Sequence, residues 1–218
     1  MDIDLIKTYL KDSDPQKRMK ALFELRKHDK EVAVPLLVEN MNDDEFLVRS
    51  FVAMGLRRTQ NDESFARLLE MMKGDRDPNV RAEAANSLSY YGEVSIPHLL
   101  SMFKQDDHWL IRRSILAAFA DLNPPAELLE VARIGIAGDD LSVMESSIDC
   151  LAILSNTEKA DRALSELLPL VNHQSWRIRL RVAKALSRFD RPKAQEALEL
   201  LKEDSDHRVV GAVLDSLV

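Results

Sequence analysis

Apolar residues return along this chain at helical spacing. In Asp75-Arg-Asp-Pro-Asn-Val-Arg-Ala-Glu-Ala-Ala-Asn-Ser-Leu, the residues Val80, Ala84, Ala85 and Leu88 fall three to four places apart and form one stripe. Asp77 is placed to accept the first free backbone amides, and Pro78 gives up no bond at a first helical position, so the spacing predicts a helix start. The stripe recurs. At the place of Ala84 stand Ala21, Val52, Ile115, Ile148, Val182 and Val213; at the place of Leu88 stand Leu25, Leu56, Phe119, Ala152, Leu186 and Leu217. Upstream of these helices lies a second apolar stretch of two to three turns, for instance Val32-Ala-Val-Pro-Leu-Leu-Val or Ile96-Pro-His-Leu-Leu-Ser-Met-Phe. Pro35 and Pro97 suit a first turn, whereas Pro169 should end or bend its helix. No segment sustains period-two alternation, so no sheet is expected.

A basic residue near the start of the downstream helix marks the period. Arg18, Arg49, Arg81, Arg112 and Arg179 follow at intervals of 31, 32, 31 and 67 residues, and the long interval is one skipped place. Glu145 fills it, 33 residues after Arg112, and Val210 holds a seventh place. The unit is helix A, a short acidic turn and helix B, used about seven times at 31–34 residues. The predicted fold class is therefore all-α, an α-solenoid in which no unit buries its apolar face alone. The repeat runs through the chain without a linker, so residues 1–218 read as one domain.

Composition narrows function. With 6 Gly and 6% aromatic residues the chain is built for helix, and its net charge of −7 disfavours nonspecific binding to nucleic acid or an anionic membrane. Cys150 is the only cysteine, which excludes an internal disulfide and suits a reducing cytoplasm. Met1-Asp-Ile-Asp does not open like a signal peptide, and no apolar run reaches the ~18 residues of a membrane span. His98, His108, His173 and His207 lack metal-ligand spacing, so no metal or cofactor is expected. No nucleophile with a positioned base emerges, and Cys150 lies mid-helix where a buried thiol is expected.

The recurring Asp and Arg read as helix caps and a ladder bonding each repeat to its neighbour's turn. Trp109 and Trp176 share one repeat position and are expected to staple the A–B turn. The pattern Asp…Val-Arg-x-x-Ala-x-x-x-Leu appears as Asp75…Val80-Arg81…Ala84…Leu88, as Asp43…Val48-Arg49…Val52…Leu56 and as Asp106…Ile111-Arg112…Ile115…Phe119. It resembles the short HEAT-like repeats of phycobilisome lyases, over nearly the whole chain. Ankyrin and tetratricopeptide signatures are not met.

In such arrays the B helices line a concave surface, which puts the places two, five and nine after the Arg register on an open face. They hold Lys20, Phe23 and Lys27; Phe51, Met54 and Arg58; Glu83, Asn86 and Tyr90; Ser114, Ala117 and Asp121; Ser147, Cys150 and Leu154; and Arg181, Lys184 and Arg188. Lys20, Phe51, Met54, Arg58, Glu83, Tyr90, Arg181, Lys184 and Arg188 are the candidate partner contacts, apolar groups set among cations. In repeat six Arg177, Arg181, Lys184 and Arg188 share one side of a helix. In repeat five Glu145 replaces the register Arg, and Asp149 stands where Leu22, Ala53, Ala85, Leu116 and Ala183 stand elsewhere, which would carry a carboxylate into the packing surface. The expected function is a noncatalytic protein-binding scaffold in the cytoplasm with an acidic partner. The alternative that the resemblance implies is a lyase or detaching factor handling a linear tetrapyrrole on phycobiliproteins.

Overall fold

The computed structural model describes residues 1–215, and within them the two apolar stretches of each repeat are paired helices. The pairs are α1 (Ile3–Leu10) with α2 (Pro15–Glu24), α3 (Lys30–Glu39) with α4 (Phe46–Thr59), α5 (Asp62–Gly74) with α6 (Pro78–Ser89), and α7 (Ile96–Gln105) with α8 (Trp109–Leu122). They continue as α9 (Pro125–Ile136) with α10 (Leu141–Ile153), α11 (Ala160–Leu167) with α12 (Trp176–Leu186), and α13 (Pro192–Lys202) with α14 (His207–Asp215). Among the described residues there is no strand. The expected place of Leu217 lies outside them. The chain divides into two compact units, Met1–Ala118 and Phe119–Val218, with the boundary inside α8.

Local chemistry sets the helix ends as read. Asp14, Asp77 and Asp140 accept from the amides of Gln16, Asn79 and Ser142, and Pro15 and Pro78 occupy first positions. Pro169 ends α11, and a 3₁₀ segment Leu168–Asn172 follows. Pro35 departs from expectation, because α3 starts at Lys30 and the proline falls inside the helix. Its ring lies on the exposed side, where water can serve the carbonyl left without its amide. The stripe residues Val52, Leu56, Ala84, Leu88, Ile148, Val182 and Leu186 are all fully buried.

The register arginines tie turn to turn. In the first unit, Arg49 donates to both carboxylate oxygens of Asp75 at 2.7 and 2.9 Å, and to the carbonyls of Asp43 and Asp44 in its own turn. Arg18 does the same between its turn and Asp43, and Arg81 reaches Asp106 at 3.0 Å. In the second unit Arg179 forks onto Asp204 at 2.6 and 2.8 Å. Each accepting aspartate also takes a backbone amide two residues on, for example that of Asp77 by Asp75 and that of Asp206 by Asp204. Planar guanidinium and carboxylate make two parallel bonds here, and the Arg49–Asp75 side chains are only 4% and 7% exposed.

Removing one member of such a buried pair strands the other, so Arg49→Ala should lower unfolding free energy by about 3–5 kcal/mol. Arg67→Ala, at an exposed pair with Glu70, should change it by about 0–1 kcal/mol; urea titration of both variants checks the contrast. Acid should act through the same ladder. The Arg179 hydrogen bonds hold the Asp204 carboxyl below its ordinary 3.8, so its contribution is complete above that pH and is lost as pH falls toward the depressed value. Stability measured from pH 6 downward should drop below about pH 4, and Asp204→Asn should be weaker at neutral pH with a shallower acid fall.

Candidate functional site

On α2, α4 and α6 the face turned away from the stripe carries the predicted contacts of the first unit. Lys20 and Arg58 are exposed, Phe51 is half-buried, and Phe23, Met54 and Tyr90 leave 46%, 36% and 56% of their surface open. Two of the aromatics carry a guanidinium. Arg26 lies 3.8 Å from the Phe23 ring centre and Arg57 4.5 Å from that of Tyr90. Gln60, in the left-handed conformation that ends α4, donates from Nε2 to the Tyr90 carbonyl at 3.0 Å and so ties the ends of α4 and α6. Glu83 is half-buried beneath them. Burial pushes its carboxyl up, against the pull of Arg57 and a hydrogen bond from Ser87.

Between α2 and α4 these side chains border an open cleft of about 80 Å³, floored by Leu22, Phe51 and Met54 and walled by Phe23, Arg26 and Arg58. Gly55, which also lines the cleft, lets α3 pack close on α4, because a Cβ there would meet the Leu37 methyls. A second hollow of about 320 Å³ adjoins it, sharing Arg26 and Arg58 and adding Lys30, His28 and Asp29. Among the described residues none of Arg26, Arg57 and Arg58 is in an ion pair. Arg26 and Arg57 were missed in the sequence, although both stand eight places after a register arginine, at Arg18 and Arg49.

The second unit is arranged differently. Arg181 and Lys184 lie on the outward side of α12, but the helix ends at Leu186 and Arg188 falls in the turn after it, so the four cations do not share one helix as expected. Arg181 donates to Asp149 at 3.0 Å, and Arg177 sits 2.7 Å from Glu145, close enough for an ion pair without hydrogen-bond alignment. The chain's own carboxylates thus occupy two members of the basic stripe. Lys184 and Arg188 remain exposed. Helix α10 corrects two expectations. Ser147, Cys150 and Leu154 are buried and not on an open face, and Asp149 is half-exposed and not in the packing surface. At Ser147 the cover is α9, whose Gly135 lies so close that a side chain there would strike the serine. Burial raises the Asp149 carboxyl, while Arg181 opposes that rise.

Trp176 reaches beyond its own repeat. Arg208 of α14 lies 3.3 Å from its ring centre, bridging neighbouring B helices, while Trp109 is exposed beside His108 and Arg113. Among the described residues no cluster of His, Cys, Asp or Glu could hold a metal ion, and no helix is long and apolar enough to cross a membrane. The arrangement offers fixed cations beside apolar surface, a chemistry suited to binding carboxylate-bearing groups.

A family model described as HEAT repeats matches residues 39–120 and 125–218. No curated protein sequence matches the chain. Among solved structures, YibA of Escherichia coli superposes with a TM-score of 0.64 at 15% identity, covering 100% of this chain and 92% of that one. The complex of CpcE and CpcF of phycocyanin lyase from Nostoc sp. PCC7120 gives 0.55 at 17% identity, covering 100% and 95%. At these identities the likeness concerns the fold alone.

The buried side of α10 also sets the chemistry of the single thiol. Desolvation, helped by the charge of Asp149, pushes Cys150 up to about 12, so almost no thiolate exists near neutrality. At pH 8 a disulfide-exchange reagent should leave the native protein unlabelled over the time in which the urea-unfolded chain reacts fully.

Proposed function

We propose that this chain, which belongs to the HEAT-repeat family, is a noncatalytic protein-binding scaffold working in the cytoplasm. The observation that carries the reading is the outward face of α2, α4 and α6, where Phe23, Met54 and Tyr90 stay exposed beside arginines that, among the described residues, form no ion pair. Exposed aromatics, Met and Arg in one patch are what interface cores are made of. An acidic protein is the matching partner. The inert thiol of Cys150 fits a role without covalent chemistry.

One observation favours a second reading, a bilin lyase or detaching factor acting on phycobiliproteins. Arginines stacked on Phe23 and Tyr90 set cations beside ring faces, a combination suited to the propionates and rings of a linear tetrapyrrole. The small cleft volume favours a side chain over so large a ligand.

Affinity capture from native lysate, with and without added salt, separates the two. The scaffold reading expects a protein partner whose capture weakens as salt rises, since exposed charges are screened over about 10 Å at 0.1 M. Lys184→Glu with Arg188→Glu, which spare the Arg181–Asp149 pair, report whether the second unit takes part. If free phycocyanobilin instead changes its visible absorption on mixing, and Phe51→Ala and Tyr90→Ala abolish that change, the pigment reading replaces the scaffold.

A further inference from the structure

We infer that the cleft between α2 and α4 is a docking site for an extended acidic peptide segment, with one large apolar side chain of that segment seated in the cleft. The inference rests on the scaffold reading and names its partner chemistry. Three observations support it together.

The first is charge. In a chain of net −7, Arg26, Arg57 and Arg58 converge on one cleft and make no ion pair among the described residues. Many arginines elsewhere are paired, buried at Arg49 with Asp75 and at the surface at Arg181 with Asp149, and the three at the cleft differ in standing side by side. Glu83 feels Arg57 and Asp29 lines the adjoining hollow, but neither forms an ion pair with the three guanidinium groups, so the cleft keeps a surplus of positive charge that favours an anionic occupant.

The second is preorganisation. Arg26 rests on Phe23 and Arg57 on Tyr90, so two of the three guanidinium planes already have a supporting surface before any ligand arrives. A fork held in place loses less side-chain freedom when it meets a carboxylate.

The third is size. The cleft of about 80 Å³ has the space of roughly six waters, given that one water needs about 10–15 Å³ by the same kind of measure. That suits one Phe, Leu or Met side chain against Phe51 and Met54. Arg26 stands on one bordering helix segment and Arg57 and Arg58 on the next, and packed helices lie about 8–10 Å apart. An extended chain rises about 3.3 Å per residue and sends alternate side chains the same way, so acids two residues either side of an apolar anchor fall within reach of both walls.

Fluorescence anisotropy with the intact protein and a labelled synthetic peptide, Asp-Gly-Glu-Ser-Phe-Ser-Glu-Gly-Asp, tests the assignment. Binding should be saturable, should weaken at least tenfold between 50 and 300 mM salt, and should weaken at least tenfold with Arg58→Glu. Met54→Ala, or Phe replaced by Ala in the peptide, should each lose at least threefold. Arg58 and Met54 are exposed, so circular dichroism should show both variants folded. Arg67→Ala, at the exposed pair with Glu70, should leave peptide affinity unchanged. The assignment is overturned if no binding appears up to millimolar peptide, or if Arg58→Glu leaves affinity unchanged. It is equally overturned if a lysine-substituted peptide or a single-stranded RNA binds more tightly, or if sedimentation shows the cleft covered by a second copy. If the peptide fails while salt-sensitive protein capture persists, the site assignment is wrong and the scaffold reading stands.

Discussion

A buried guanidinium joining two acidic turns is the contact on which the repeat geometry depends. Arg49 donates to carbonyls of the turn that precedes its own helix and to the carboxylate of Asp75 in the turn that follows, and Asp75 in turn accepts the amide of Asp77 where α6 begins. One side chain therefore fixes the spacing of two turns and the start of the next B helix. The stripe supplies most of the burial, but apolar contact is non-directional and would tolerate sliding of one repeat on the next. A forked ion pair at 2.7 and 2.9 Å does not tolerate it.

Where the register arginine is absent the packing changes. Glu145 takes the place in repeat five and meets Arg177 from the following repeat, so the charge order of the contact is reversed. Gly135 allows α9 to sit close on α10 over Ser147, while Cys150 is buried and Asp149 faces outward toward Arg181. These shifts are linked, because a helix whose buried arc moves by one position must present a different residue at its margin. The basic stripe on α12 is thereby partly neutralised from within the same unit, which leaves the first unit with the less encumbered cations.

What could be read in the sequence follows from how local each cause is. The seven helix pairs, the caps at Asp14 and Asp77 and the stop at Pro169 depend on residues a few places apart, and periodicity displays them directly. The ladder was legible because its partners recur in step. The fate of α10 was not, since it turns on a glycine in α9 and the pairing of residues 32 positions apart. The close approach of Gly55 to Leu37 between α3 and α4 likewise has no periodic signature. Arg26 and Arg57 left a readable trace in their shared place after the register arginine, yet the repeat alone gives no reason to prefer that place to the other polar ones.

The outward residues gain meaning from what the ladder and the stripe leave over. Once Val52 and Leu56 fill the core and Arg49 satisfies the turns, stability makes little demand on Met54, Arg57 or Arg58. Solubility alone would favour scattered charge of both signs there. Instead one place after the register holds Phe23 and Met54, and another holds Arg26 and Arg57, so neighbouring repeats set apolar and cationic groups side by side in matching rows. Matching rows at a fixed spacing suit a ligand that is itself a repeating chain. A polypeptide in extended form has that property, and acidic side chains on it would meet the guanidinium groups that form no ion pair among the described residues.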